Sequence, residues 1–315
     1  MKQDSSWRKI LDKLLPEFLA FYFREIYRAI DFDKGCEFLD KELQKILPQD
    51  DDTGQRVVDK LVKVFLRDGS EKWLLIHIEI QGYRELDFAK RVYHCNYRIF
   101  DRLGEKVISV VLLTDDDPEF RENIYEISQW GFRLHFEFPM VKLLDYQDQW
   151  EELEHDPNPF AIVTMAFLKT VETQGSDQER YQWKKHFLLE LYRRGMSREM
   201  ILALYEFIDV VMSLPEAKDD ELNEELKQTT EENKMSIITT AERVGMRKGH
   251  NEGLKEAISD ILEIKFGVVG LELFDQVEQV TDIETLQKIR AGLKQARSIA
   301  EAEALIHAHA KEPRA

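Results

Sequence analysis

The sequence predicts a mixed α/β (α+β) domain over residues 1–150 and helical structure from there on. Three observations carry this expectation. Two segments rich in Val, Leu and Ile flank an Asp-Gly pair, as the arms of a β-hairpin do. The segments around them read, in order, helix-strand-strand-strand-helix-strand, which is a mixed layer and not a doubly wound repeat. Beyond Trp150 only helical periodicity remains.

Each element has its own warrant. Residues 7–30 place apolar residues at Ile10, Leu14, Leu15, Phe18, Leu19, Phe21, Tyr22 and Ile26, a spacing that fits helix better than strand, with Pro16 starting or kinking the second part. The segment EFLDKELQKIL reads either as a strand or as a short helix, and PQDDDTGQ is a turn. VVDKLVKVFL and WLLIHIEIQG are the hairpin strands, joined through Asp68-Gly69. In the second, Leu74, Ile76, Ile78 and Ile80 share one face, and Leu75, His77, Glu79 and Gln81 the other. A helix over about 86–102 follows, then KVISVVLLTD as a buried strand, then a strand pair or bent strand near 132–145.

The second half divides further. Residues 151–213 are a helical extension with helices at 157–172, 177–194 and 197–213. Residues 214–236 are an acidic linker or a solvated helix. Residues 237–305 form a helical region suited to oligomerisation, and 306–315 read as a disordered tail.

Of the 315 residues 33% are charged, and the net charge is −17, which by itself opposes a nucleic-acid partner. The distribution removes much of that objection. Through Asp115 there are 20 Lys+Arg against 21 Asp+Glu, whereas the remaining 200 residues carry 24 against 40. Cys36 and Cys95 are too few and too far apart for a disulfide framework or a zinc knuckle. No apolar run approaches the ~18 residues of a membrane span, and the N-terminus has no secretory pattern. The expectation is a cytoplasmic protein without a membrane partner. No Walker loop, GxGxxG or GxSxG occurs, so nucleotide hydrolysis and serine-hydrolase chemistry have no support.

The chemistry-bearing pair is Asp59 and Glu79. Both lie ten residues from the turn centre at residue 69, so pairing through that turn makes them cross-strand partners to within a register slip. Two carboxylates so placed repel unless a cation sits between them. Oxygen-only ligation suits Mg²⁺ or Mn²⁺. The bland alternative is a pair of solvent-facing acids on a one-sided sheet, but Glu79 closes the apolar run WLLIHI, where charges are paired or metal-bound.

In this context VDKLVKVFLRDGSEKWLLIHIEIQG, followed by DFAKRVYHCNYRIFDR, resembles the recombination-promoting nuclease and putative transposase family of the PD-(D/E)XK superfamily. Asp59 matches its Asp strand, Glu79-Ile80-Gln81 its Glu-x-Gln strand, and Arg91 with Tyr97 its following helix. The resemblance extends loosely through KGHNEGLKEAISDILEIKFG. It implies a restriction-endonuclease-like core and a metal-dependent DNA endonuclease linked to recombination or transposition. Asp59, Glu79 and the Ile80 carbonyl would hold Mg²⁺ or Mn²⁺, and a water activated by the metal would attack a phosphodiester. Glu25 is a candidate for an extra acid that some superfamily members place on the first helix, its alternative being an exposed helix carboxylate.

The superfamily usually has Lys where this chain has Gln81, although Glu-x-Gln is usual within the family. A neutral amide orients a water but supplies no positive charge. Lys63 shares the Asp59 face, Lys41 or Lys45 would lie on the first strand, and Lys90 with Arg91 could grip phosphates; each is alternatively a plain surface charge. A fold with lowered catalysis, serving as a DNA-binding or protein-interaction module, is the rival expectation. His77 either joins the site or is a hydrogen-bonded sheet histidine. His307 and His309 have metal-pair spacing on the tail, the alternative being two histidines without a role on a disordered end. Gly245, Gly249 and Gly253 recur every four residues, which asks for close helix-helix approach or marks a broken helix. Two nicks on opposite strands are most simply made by a homodimer, expected through the helical C-terminal region.

Overall fold

A computed structural model describes residues 2–46, 58–67, 73–232, 240–280 and 283–310. The expected mixed α/β class holds. A five-stranded mixed sheet has the order β1-β2-β3-β4-β7: β1 (Cys36–Phe38), β2 (Val58–Phe65), β3 (Trp73–Gln81), β4 (Val107–Leu113) and β7 (Met140–Lys142). β1 and β2, and β2 and β3, pair antiparallel; β3 and β4, and β4 and β7, pair parallel. Crossing from β3 to its parallel neighbour needs a long connection, and α4 (Phe88–Leu103) supplies it. Gly104 ends that helix at φ +71, its N–H bonding the Phe100 carbonyl at 2.8 Å.

Leu75, Ile76, Ile78, Val110 and Val111 are fully buried, so the central strands are covered on both faces. On one face Leu61 and Leu75 pack with Ile99 of α4, and Val111 and Leu113 with Phe88 and Val92. On the other, α1 (Lys2–Tyr22) lies against β2. The kink expected at Pro16 falls at Leu14 (φ −130°, ψ 34°), because the proline ring crowds the carbonyl of Asp12 and offers no N–H. α2 (Arg24–Ala29) follows, its end bridging through Ile30 to Leu66.

The segment read as strand or helix contains both: β1 is a three-residue edge strand and α3 (Asp40–Ile46) follows it. Lys41 and Lys45 therefore stand exposed on a helix, not on the first strand. The strand pair near 132–145 also resolves differently. β5 (Ile124–Gln129) and β6 (Phe132–Glu137) form a separate two-stranded hairpin, and β7 leaves it to join the main sheet. The hairpin turn is Trp130-Gly131 with φ of +50° and +88°, both central residues left-handed as in a type I′ turn. Trp130 is 96% exposed there.

Helices α6 (Pro159–Glu172), α7 (Asp177–Arg193) and α8 (Arg198–Val211) follow closely the sequence reading of 157–213, and α5 (Trp150–His155), which that reading lacked, precedes them. Asn158, Ser176 and Ser197 cap α6, α7 and α8 through their side chains. These helices belong to the same compact unit as the sheet, and a second unit begins at Leu214. Within the first, Trp7 meets Phe207 edge-on at 4.8 Å and the Tyr22 hydroxyl lies 2.7 Å from Thr164 Oγ1.

The second unit holds α9 (Glu216–Glu232), α10 (Thr240–Leu271), α11 (Phe274–Glu278), α12 (Ile283–Gln295) and α13 (Ile299–Ala310). The acidic stretch is thus a helix through Glu232, with Leu222 and Leu226 buried one turn apart. Residues 306–310 are not a loose tail. They end α13, with Ile306 fully buried beside Leu293 and Ala302, because α13 needs that apolar position to dock. Residues 311–315 lie outside the described residues. Gly245, Gly249 and Gly253 all lie within α10, and at Gly253 an added Cβ would meet nothing within 4 Å. Close approach occurs instead at Gly292, where a Cβ would stand 2.5 Å from the Leu305 methyls. Among the described residues no helix is long and apolar enough to cross a membrane.

Candidate functional site

The β2–β3 register pairs Asp59 directly with Glu79. The expected Asp68-Gly69 turn lies outside the described residues. Of Asp59 the backbone is described; its position on β2 puts it on the same face as Leu61, opposite His77 and Glu79. That face is the one under α4.

Glu79 is fully buried, and a buried carboxylate needs a compensating charge. Arg91, on the first turn of α4, supplies it: Nη2 donates to Glu79 Oε1 at 2.7 Å and to Gln81 Oε1 at 3.1 Å, while Nε donates to Glu85 Oε1 at 2.8 Å. The guanidinium also lies over the Phe88 ring, 5.2 Å from its centroid. Gln81 completes the knot by donating to the Tyr83 carbonyl at 2.7 Å and to Glu85 Oε2 at 3.3 Å. Burial pushes the Tyr83 phenol above its ordinary pKa; Glu85 adds to the rise and Arg91 opposes it.

Exposure is graded across the cluster. Glu79 has none, whereas the Arg91 and Glu85 side chains are 20% and 25% exposed. Among the described residues, Arg91 therefore stands between Glu79 and solvent. Below Glu79, His77 Nε2 lies 3.7 Å from Oε2, and His77 Nδ1 lies 3.1 Å from Ser109 Oγ. Asn96 of α4 donates to Ser109 Oγ at 3.0 Å. His77 is thus a hydrogen-bonded sheet histidine and also a neighbour of the site.

The other candidates are placed apart. Lys63 shares the Asp59 face but lies four residues away, about 13 Å along the strand, and its amine is 3.7 Å from Glu37 of β1. Lys90 and Tyr97 are exposed on α4. Glu25 is exposed in the first turn of α2, a helix that ends beside Leu66, at the opposite end of β2 from Asp59. The Ile80 side chain is buried on the far face, so only its carbonyl could serve as a ligand. His307 lies 3.8 Å from Glu303 on α13.

Glu85, Asn96 and Ser109 were not among the candidates. Two of them carried a signal. Ser109 is the one polar residue inside VISVVLL, and Asn96 falls next to the buried stripe Val92, Cys95 and Ile99. Polar residues against an apolar face require partners, and each turns out to be the other's.

Among the described residues no group of three His, Cys, Asp or Glu side chains is placed to hold a metal ion. The donor types do fit a hard cation. Asp59 and Glu79 are in register on adjacent strands, and the Glu79 carboxylate is already arranged to receive positive charge, here from Arg91. No family model, curated protein or solved structure matches the chain.

Proposed function

We propose that the chain is a metal-dependent DNA endonuclease of the recombination-promoting nuclease and putative transposase type, with a PD-(D/E)XK core formed by the sheet, α1 and α4. The observation that carries this reading is the direct pairing of Asp59 with Glu79 beside Gln81 and Arg91. Asp59, Glu79 and the Ile80 carbonyl are the residues that would hold Mg²⁺ or Mn²⁺. Such a cation would supply Lewis-acid stabilisation of charge on a phosphodiester.

The protein groups divide the remaining tasks. Arg91 compensates Glu79 until substrate arrives, then turns outward to a phosphate oxygen, a pairing its planar fork suits. Gln81, released from Arg91, orients the attacking water through its amide. In this reading the position of the usual lysine is filled by Gln81 and Arg91 together, and not by Lys63, Lys41 or Lys45. Cleavage of both strands is assigned to a homodimer assembled through the helical C-terminal region.

The test is plasmid cleavage by purified protein with Mg²⁺ or Mn²⁺, run beside Asp59→Ala and Glu79→Ala. Nicking that needs the cation and disappears in both variants supports the assignment; nicking that survives both refutes the site. One observation favours a second reading. Arg91 pairs with Glu79 Oε1 directly, an ion pair that a DNA-binding or protein-interaction module on this scaffold would retain. DNA binding without cleavage by the wild type would select it.

A further inference from the structure

A directional chain of hydrogen bonds runs beneath the candidate site. It starts at Asn96, whose Nδ2 donates to the Val107 carbonyl at 3.1 Å and to Ser109 Oγ at 3.0 Å. The carbonyl has no proton to give, so the amide of Asn96 must turn its nitrogen toward it. The second amide proton then falls on Ser109 Oγ, which accepts. Ser109 is buried, and among the described residues the acceptor recorded for its own hydroxyl proton is His77 Nδ1, 3.1 Å away. If His77 donated from Nδ1 instead, the Ser109 proton would be stranded in a buried site, a costly arrangement. An imidazole that accepts at Nδ1 carries its proton on Nε2. That nitrogen lies 3.7 Å from Glu79 Oε2, too long for a hydrogen bond but with the N–H dipole facing a fully buried carboxylate.

We infer that Asn96 and Ser109 lock His77 in its Nε2–H form, making His77 a positioning residue for the Glu79 carboxylate. Arg91 holds Oε1 by a hydrogen bond, and the His77 N–H dipole faces Oε2 and favours that orientation of the carboxylate electrostatically. The role in positioning rests on the reading of Glu79 as the functional acid; the protonation form of His77 does not.

The experiment is a long-range ¹H–¹⁵N correlation spectrum of the metal-free full chain at neutral pH, with His77 assigned by its loss in His77→Gln. The expected result is a protonated Nε2 and an unprotonated, hydrogen-bonded Nδ1, with that preference relaxing in Ser109→Ala. A ring protonated at Nδ1, or a Ser109→Ala spectrum unchanged at His77, overturns the inference. Mn²⁺ binding followed by electron paramagnetic resonance supplies the second readout. Ser109→Ala and Asn96→Ala should weaken it about tenfold, with the other histidine signals unmoved. Unweakened binding in the presence of a relaxed ring would overturn the positioning role. Wild-type protein that binds no Mn²⁺ would overturn it too, through the reading of Glu79, while the spectrum still decides the protonation form.

Discussion

Two buried ion pairs lie on the face of the sheet under α4, and they are built in opposite ways. Lys142 of β7 gives its amine to both oxygens of Asp115, at 2.8 and 2.9 Å, and to the Phe120 carbonyl at 3.3 Å. The two side chains are 0% and 1% exposed, and the amine sits 5.9 Å from the centroid of the Phe120 ring. One cation meets one anion, and neither reaches water. Arg91 instead divides its donors among Glu79, Gln81 and Glu85 while keeping 20% of its side chain exposed. A closed pair cannot change partners without leaving a charge stranded; a shared, rim-facing guanidinium can. The first arrangement fixes the loop after β4, and the second is fit for exchange with an incoming charge.

The largest expected effect tests the closed pair. Lys142→Met leaves Asp115 buried and uncompensated and should cost about 3–5 kcal/mol of unfolding free energy, measured by urea titration. Adding Asp115→Leu should recover most of it; a double variant as unstable as the single would mean that the pair contributes shape more than charge balance. Arg91→Ala is expected to cost roughly 2 kcal/mol, less because the site reaches solvent. Mg²⁺ should stabilise both proteins, and the variant more, since a ligand that binds only the folded state stabilises it and the variant has no guanidinium competing for Glu79. Equal melting curves with and without Mg²⁺ would count against a cation at Glu79.

Glu79→Gln should change stability by only about 1 kcal/mol or less, since Arg91 can turn to water, while abolishing any cleavage activity. A loss as large as that of Lys142→Met would erase the distinction between the two pairs. The smallest effects belong to exposed pairs. Arg121 holds the Asp145 carboxyl below its ordinary value chiefly by hydrogen bonding. This contribution is present above the usual carboxylate range and is lost as pH falls through the depressed pKa. His135 is raised by its hydrogen bond to Glu126 and then by Glu137, so its contribution is present below 6.5 and is lost as pH rises through the elevated pKa. Both should fade in high salt, as monitored by NMR titration, whereas the Lys142 effect should not.

The Asp59–Glu79 pairing was legible to within a register slip, because the Asp-Gly signal places the turn near residue 69 and the two acids are equally far from it. The three helices of 157–213 were legible because each starts at a side-chain cap and repeats its apolar residues at helical spacing. The partner of Glu79 was not, since Arg91 reaches it only after the chain has turned from β3 into α4 and packed back on the sheet. Lys41 and Lys45 were misplaced because a three-residue strand leaves too short a pattern to separate from the helix that follows it. β5 was missed for a related reason. IYEISQ alternates, but most of it faces solvent, and its apolar contacts come from Tyr93 of α4, which no local pattern announces.

The docking of α1 on α8 also has a temporal side. Lys9 and Glu206 form an ion pair across 197 residues of sequence, beside the Trp7–Phe207 ring contact. At equilibrium such a separation costs little more than a shorter one, since each doubling of a loop adds only about 0.6 kcal/mol. During synthesis it matters far more. At roughly 5–20 residues per second, α1 waits on the order of 10–40 s for α8 to be made. Through that interval Trp7 and Ile10 lack their α8 cover. The sheet face under α4 can close from residues 58–113 long before then. The two faces of one sheet thus mature at different times, and the α1 face is where a nascent chain is open to misassociation.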